Sequence, residues 1–158
     1  MFEEKDQGLR DHFGIKGKCE VKLFGPDGRL KEERVIHNTV TNLLDAHVAD
    51  QMSDSADATL GFIAVGTGSG QNAADTGLDA VLDRNALTSV TQQAGGDDND
   101  VLYVGDWAAG DGTGAITEAG ILRLDDDATL AFYADFAVVN KAAGDTLQIN
   151  WTVTYGAS

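Results

Sequence analysis

The chain is poor in cysteine, proline, positive charge and long apolar runs, and each shortage removes a class of answers. Among 158 residues there is one cysteine, Cys19, and one proline, Pro26. A single cysteine allows no internal disulfide, and nothing stands beside it at metal-ligand spacing. No apolar stretch approaches the roughly 18–20 residues of a membrane span. The polar start MFEEKDQGLR does not read as a signal peptide, so the expectation is a soluble protein made in the cytoplasm, with no membrane partner. Lys and Arg total 11 against 26 Asp and Glu, a formal charge of −15. A surface that negative repels nucleic acid, anionic lipid and free nucleotides, so no nucleic-acid partner is expected.

What remains is enough for one folded body. With 42% hydrophobic residues, a chain of this length holds one genuine core and is too short to expect two. The charge divides unevenly. Residues 1–37 carry eight acidic and eight basic side chains, whereas residues 38–158 carry 18 acidic groups against Arg84, Arg123 and Lys141. The chain thus reads as a charge-balanced N-terminal arm, 1–37, and a strongly acidic domain, 38–158.

In the arm, KCEVKLF alternates, stops at GPDG (residues 25–28) and returns as RLKEERVIH. Pro26, Asp27 and Gly28 supply a turn, so a β-hairpin is predicted, preceded by about ten patternless residues expected to be mobile alone. NTVTNLLDAHVADQM then places Val40, Leu43, Leu44, Val48 and Met52 near helical spacing. This predicts one amphipathic helix of about three turns, with Thr39 or Thr41 as N-cap.

After residue 59 the pattern changes to short β-rich segments: LGFIAV, RNALTSVTQQ, VLYVGDW, AITEAGILRL, LAFYADFAVV and DTLQINWTVTY. In the last of these Leu147, Ile149, Trp151, Val153 and Tyr155 share a face that should be buried. The connections LDDDATL and NKAAGD are short enough for hairpins. The fold class predicted is mainly β, an antiparallel β-sandwich, jelly-roll or immunoglobulin-like, with one helix covering an end.

Candidate chemistry is thin. LGFIAVGTGSGQNAADTGLD (60–79) runs a strand into Gly66, Gly68 and Gly70, as phosphate loops do. It lacks the Lys-Ser/Thr ending of a P-loop, and Gln71 stands where a dinucleotide fingerprint needs its third glycine. GDGTG (110–114) shares that weakness and reads as a flexible connection. The aspartates of DDND (97–100) and DDD (125–127) lack the ligand spacing of an EF-hand and read as solvated turns rather than calcium sites. His12, His37 and His47 are scattered, and a thiol–base pair of Cys19 with His37 across the hairpin has no pocket around it. Glu118, between apolar residues on a predicted strand, reads as a structural carboxylate, since no second titrating group stands in fixed relation to it. No catalytic residue, cofactor or metal is expected.

Three stretches together, FIAVGTGSGQNAADTGLDAVLDRNALTSV, GAITEAGIL and TLAFYADFAVVNKAAGDTLQINWTVTY, resemble a group of tailed-bacteriophage virion proteins. The residues that carry the likeness are Gly66, Thr67, Gly68, Asp75, Thr76, Leu78, Arg84, Glu118, Ala119, Gly120, Lys141, Asp145, Leu147, Ile149 and Trp151, with Gly77 as a departure inside the loop. The likeness spans roughly residues 38–155. It implies a non-enzymatic virion structural protein in which the Gly-Thr-Gly loop is an architectural turn: glycines let the backbone pass close to a neighbouring strand or subunit, and Thr67, Asp75 and Thr76 fix the path of the loop.

The position put first is a capsid decoration (cement) protein bound to the major capsid protein on the capsid surface, its arm running across neighbouring subunits. A tail, baseplate or fibre-attachment protein is the alternative. A carbohydrate-binding sandwich, with Trp107 as stacking platform because Trp151 lies on the buried face, is a further one. Self-association is expected, a homotrimer before a dimer, since clustering at a symmetry axis multiplies weak attachments.

Overall fold

A computed structural model of the chain describes residues 14–53, 57–70, 72–96 and 98–157. The first thirteen residues of the arm, with His12, lie outside them, as do Gln71 and Asp97. The strands are β1 (Gly14–Phe24), β2 (Leu30–His37), β3 (Thr39–Val40), β4 (Phe62–Gly66), β5 (Val81–Ala86), β6 (Ser89–Gln92), β7 (Asp100–Trp107), β8 (Gly114–Leu122), β9 (Leu130–Lys141) and β10 (Thr146–Ala157); the helix α1 is Asn42–Ser53. Two five-stranded antiparallel sheets pack as a sandwich, ordered β2-β1-β10-β7-β6 and β3-β9-β8-β4-β5.

Alternation builds the first sheet. On β1, Cys19, Val21 and Leu23 turn inward while Lys18, Glu20 and Lys22 turn out. On β10, Leu147, Ile149, Trp151 and Val153 are buried, and the register sets Cys19 opposite Trp151, Val21 opposite Ile149 and Leu23 opposite Leu147. Tyr155, predicted on the same face, is half-buried and packs against this core. The predicted hairpin is present as β1 and β2, joined by the turn at Gly28 (φ 77°). It is built into the sheet: β1 lies between β2 and β10.

Several expectations are corrected. The helix starts at Asn42, after the second of the two expected N-cap positions, but Val40 lies outside it, because Thr39 and Val40 instead pair with Tyr133 and Phe132 of β9. Thr41 precedes the helix, but its hydroxyl donates to Leu130 O (2.5 Å) rather than capping helical N–H groups. Leu44 is buried and Val48 half-buried, while Met52 is 83% exposed, so the apolar face is narrower than predicted. RNALTSVTQQ is two strands, β5 and β6, lying in different sheets and linked through Leu87 and Thr88. NKAAGD is not a hairpin either: it carries the chain from β9 in the second sheet to β10 in the first. LDDDATL does join a paired hairpin, β8 and β9.

The second sheet is buried on both faces at its centre. Ile116, Ala119, Ile121 and Phe132 belong to the main core, while Ala64, Leu78, Leu122, Leu130 and Tyr133 form a second apolar cluster. Leu78 comes from the loop between β4 and β5. That loop therefore covers the outer face of the sheet, which is why β8 and the first half of β9 read as nearly unbroken apolar runs.

Candidate functional site

The segment 67–80, which carries the Gly-Thr-Gly motif, is fastened to the second sheet by one carboxylate. Glu118 on β8 is completely buried. Its Oε1 accepts hydrogen bonds from the backbone N–H groups of Gly68 (3.1 Å) and Ala80 (2.7 Å). Its Oε2 accepts from Asp79 N–H (3.1 Å) and from the phenol of Tyr133 on β9. One side chain thus grips both ends of the loop, and all four partners are donors, as a buried carboxylate requires. Burial, and then the bond to Glu118, pushes the Tyr133 phenol above its ordinary pKa.

Other side chains hold the remainder. Thr117 Oγ1 donates to Gly68 O (2.6 Å), Asp135 accepts from Gly70 N–H (2.9 Å), and Asp127 accepts from Leu78 N–H (3.2 Å). Within the loop, Asp75 accepts from Asn72 N–H (2.8 Å) and Asn72 from Ala74 N–H (2.9 Å). Thr76 contributes its backbone carbonyl, bonded by Leu130 N–H, and Ala73 O receives Asn42 N–H at the start of α1. Thr67 contributes its backbone N–H, bonded to Ala80 O. Gly66 lies so close to Glu118 Oε1 and Ala80 O that a methyl group there would overlap both.

The loop and the sheet enclose a cleft of about 390 Å³ lined by Asp75, Asp79, Asp127 and Tyr133 among others. The N–H groups that a phosphate would need at Gly68, Gly70, Asp79 and Ala80 already have carboxylate partners. A cleft walled by aspartates also repels anions.

Away from the loop, Lys141 and Asp145 of the pattern meet at the start of the crossing to β10. Asp145, 1% exposed, accepts from Lys31 Nζ of β2 (2.9 Å) and from Ala142 N–H (2.9 Å). The bond to Lys31, followed by that to Ala142, holds its carboxyl below the usual range. Lys141, 2% exposed, donates to Ala108 O (3.0 Å), and burial lowers its pKa against the opposing pull of Asp145. These contacts fix the crossing from β9 to β10. Arg84 on β5 pairs with Asp125 (2.7 Å).

The remaining candidates are not brought together. His37 stands opposite Lys18, and Cys19 opposite Ile36; the Cys19 thiol is buried and pushed far above its ordinary pKa, first by desolvation and then by Glu20. His47, on α1, is half-buried, and burial lowers its pKa. Asp125, Asp126 and Asp127 serve three separate jobs: the Arg84 pair, the turn at Ala128 and Thr129, and the loop at Leu78. Among the described residues no cluster of three or more His, Cys, Asp or Glu is placed to hold a metal ion. Trp107, the candidate stacking platform of the carbohydrate-binding alternative, is 1% exposed and cannot serve as one.

Glu118 was legible in sequence as a structural carboxylate, but its partners were not. Thr117, Asp127 and Asp135 were missed as loop anchors, because only the pairing of β8 with β4 and β9 brings them beneath residues 67–80. Comparison with protein-family models, with curated proteins and with solved structures finds no match for the chain.

Proposed function

We propose that the chain is a non-enzymatic structural protein of a tailed-phage virion, acting as a capsid decoration protein that binds the major capsid protein on the outer shell. The observation that carries this reading is the convergence of the residues behind the likeness on one scaffold. Gly66, Gly68, Leu78 and Glu118 meet where the loop is fastened to the second sheet, and Lys141 and Asp145 fix the crossing between sheets. Their polar groups are spent inside the fold, on backbone groups and on the side chains of Tyr133 and Lys31, as in an architectural element. The acidic body suits an exposed position on a shell.

The test is attachment. Purified protein is mixed with capsids that lack it, with tails as a parallel sample, and bound protein is measured after sedimentation and located by cryo-electron microscopy. Saturable density on the capsid surface is the expected result. Binding confined to tails transfers the protein to the alternative position, and binding to neither particle overturns the reading.

A further inference from the structure

Among the described residues, β6 is the one edge strand longer than two residues that carries no charge. Natural sheets blunt an exposed edge with charged side chains, covering elements or extreme shortness. β2, the outer strand of the first sheet, carries Lys31, Glu32, Glu33 and Arg34. Two of these reach across to the second sheet: Arg34 donates to the carbonyls of Ala137 (3.1 Å) and Val138 (2.9 Å), and Glu32 accepts from Asn140 N–H (3.3 Å). β3 has only two residues, and β5 contains Asp83 and Arg84. β6 is Ser89-Val90-Thr91-Gln92, exposed at all four positions, inside a stretch, 85–96, with no charged residue in a chain of −15.

Its open side can be assigned. Gln93 N–H donates to Asp100 O (2.8 Å), in line with the register that pairs Thr91 with Leu102 and Ser89 with Val104. Alternation in an antiparallel ladder then sends the peptide groups of Ser89 and Thr91 toward β7, and those of Val90 and Gln92 outward. The Gln92 side chain folds back onto Asp98 O and Thr88 N–H is taken by Val104 O, which leaves Val90 and Gln92 as the outward pair.

We propose that β6 is a homodimer interface, in which two copies pair their β6 strands antiparallel about a two-fold axis through Thr91. This register sets Val90 of each chain opposite Gln92 of the other, joining outward donors to outward acceptors in both directions, and makes one ten-stranded sheet from two five-stranded ones. A second copy is the occupant because the edge is complementary to itself and uncharged. Two chains of −15 each repel on the whole, and a neutral seam places no like charges at closest approach. Val90 (50% exposed), with Val81 (39%) and Leu82 (37%) on the adjoining β5, offers apolar surface on the same side of the sandwich. An edge-to-edge ladder closes on two chains, so the dimer replaces the trimer expected from the sequence. The inference does not rest on the virion reading, because the purified chain alone is measured.

Cysteine cross-linking reads the register. At the axis, Thr91 faces its own copy as a non-hydrogen-bonded pair with Cα atoms about 4.5 Å apart, within the roughly 4.4–6.8 Å that a disulfide spans. Ser89 is separated from its own copy by four residues along the strand, roughly 13 Å. Under mild oxidation the full-length Thr91→Cys variant should give a covalent dimer, while Ser89→Cys should not; buried Cys19 stays out of the reaction. The wild-type protein should sediment as a dimer that strengthens with salt, and Thr91→Lys, with wild-type circular dichroism, as a monomer. Monomeric wild-type protein in both low and high salt, equal cross-linking of the two cysteine variants, or an undiminished Thr91→Lys dimer would each overturn the proposal.

Discussion

The phenol of Tyr133 donates a hydrogen bond to Glu118, so two side chains from neighbouring strands of the second sheet meet beneath the loop that both support. Glu118 has no water to fall back on, and its four donors replace solvation. Charge-assisted bonds of this kind contribute about 1.5–3 kcal/mol each. Glu118→Gln keeps the size but turns an amide toward two of those donors. It should destabilise the protein by about 2–4 kcal/mol, lowering Tm by roughly 5–15 °C, and cleavage within 67–80 should accelerate in limited proteolysis. An unchanged Tm would show that the loop is not held by this carboxylate.

Gly66→Ala should be more damaging than Gly70→Ala. At Gly66 the new methyl overlaps Glu118 Oε1 and Ala80 O, and overpacking of this kind costs roughly 1–3 kcal/mol or more. Gly70 has space around it but a φ of 94°, so alanine there meets mainly the left-handed backbone penalty of about 1–2 kcal/mol. Chemical denaturation of the two variants gives the order directly, and the reverse order would refute the close approach.

Asp145 should contribute to acid sensitivity. Its folded pKa is depressed by Lys31 and by Ala142 N–H, so the folded state binds fewer protons than the unfolded chain. That stability is present above the unfolded carboxyl value of about 3.9 and is lost as pH falls through the folded pKa. Asp145→Asn should therefore be less stable than wild type at neutral pH, with the difference shrinking below about pH 4. A difference that holds constant into strong acid would rule out this linkage.

The three tyrosines should titrate only as the protein unfolds. Tyr103 and Tyr155 share a hydroxyl hydrogen bond of 2.7 Å, and burial raises both; burial and Glu118 raise Tyr133. Above the ordinary phenol pKa of about 10 the folded chain then holds more protons than the unfolded one, and stability falls as pH rises. Phenolate absorbance should appear together with the loss of the β signal in circular dichroism. A phenol that ionises well before unfolding would contradict this.

Part of the fold was written locally. The alternation of β1 and β10 and the Pro26-Asp27-Gly28 turn survive into the structure nearly unchanged, because a two-residue period and turn chemistry are properties of neighbouring residues. Composition alone limited the chain to one acidic body, and the interruption of glycines by Gln71, with no following lysine, argued against a phosphate loop.

Other features depend on residues distant in sequence. Whether NKAAGD turns back within a sheet or crosses to the other one depends on β10 finding its ladder partners in β1 and β7, distant in sequence, with Asp145 meeting Lys31 at the crossing. Thr39 and Val40 are strand rather than helix because Phe132 and Tyr133 offer them a ladder, and tertiary pairing outweighs weak helical spacing. Glu118 could be read from sequence as a carboxylate in need of partners. Which partners it found, the N–H groups of Gly68, Asp79 and Ala80 and the phenol of Tyr133, was decided by the packing of the loop onto the sheet, since a buried charge is satisfied by whatever donors the assembled backbone brings within reach.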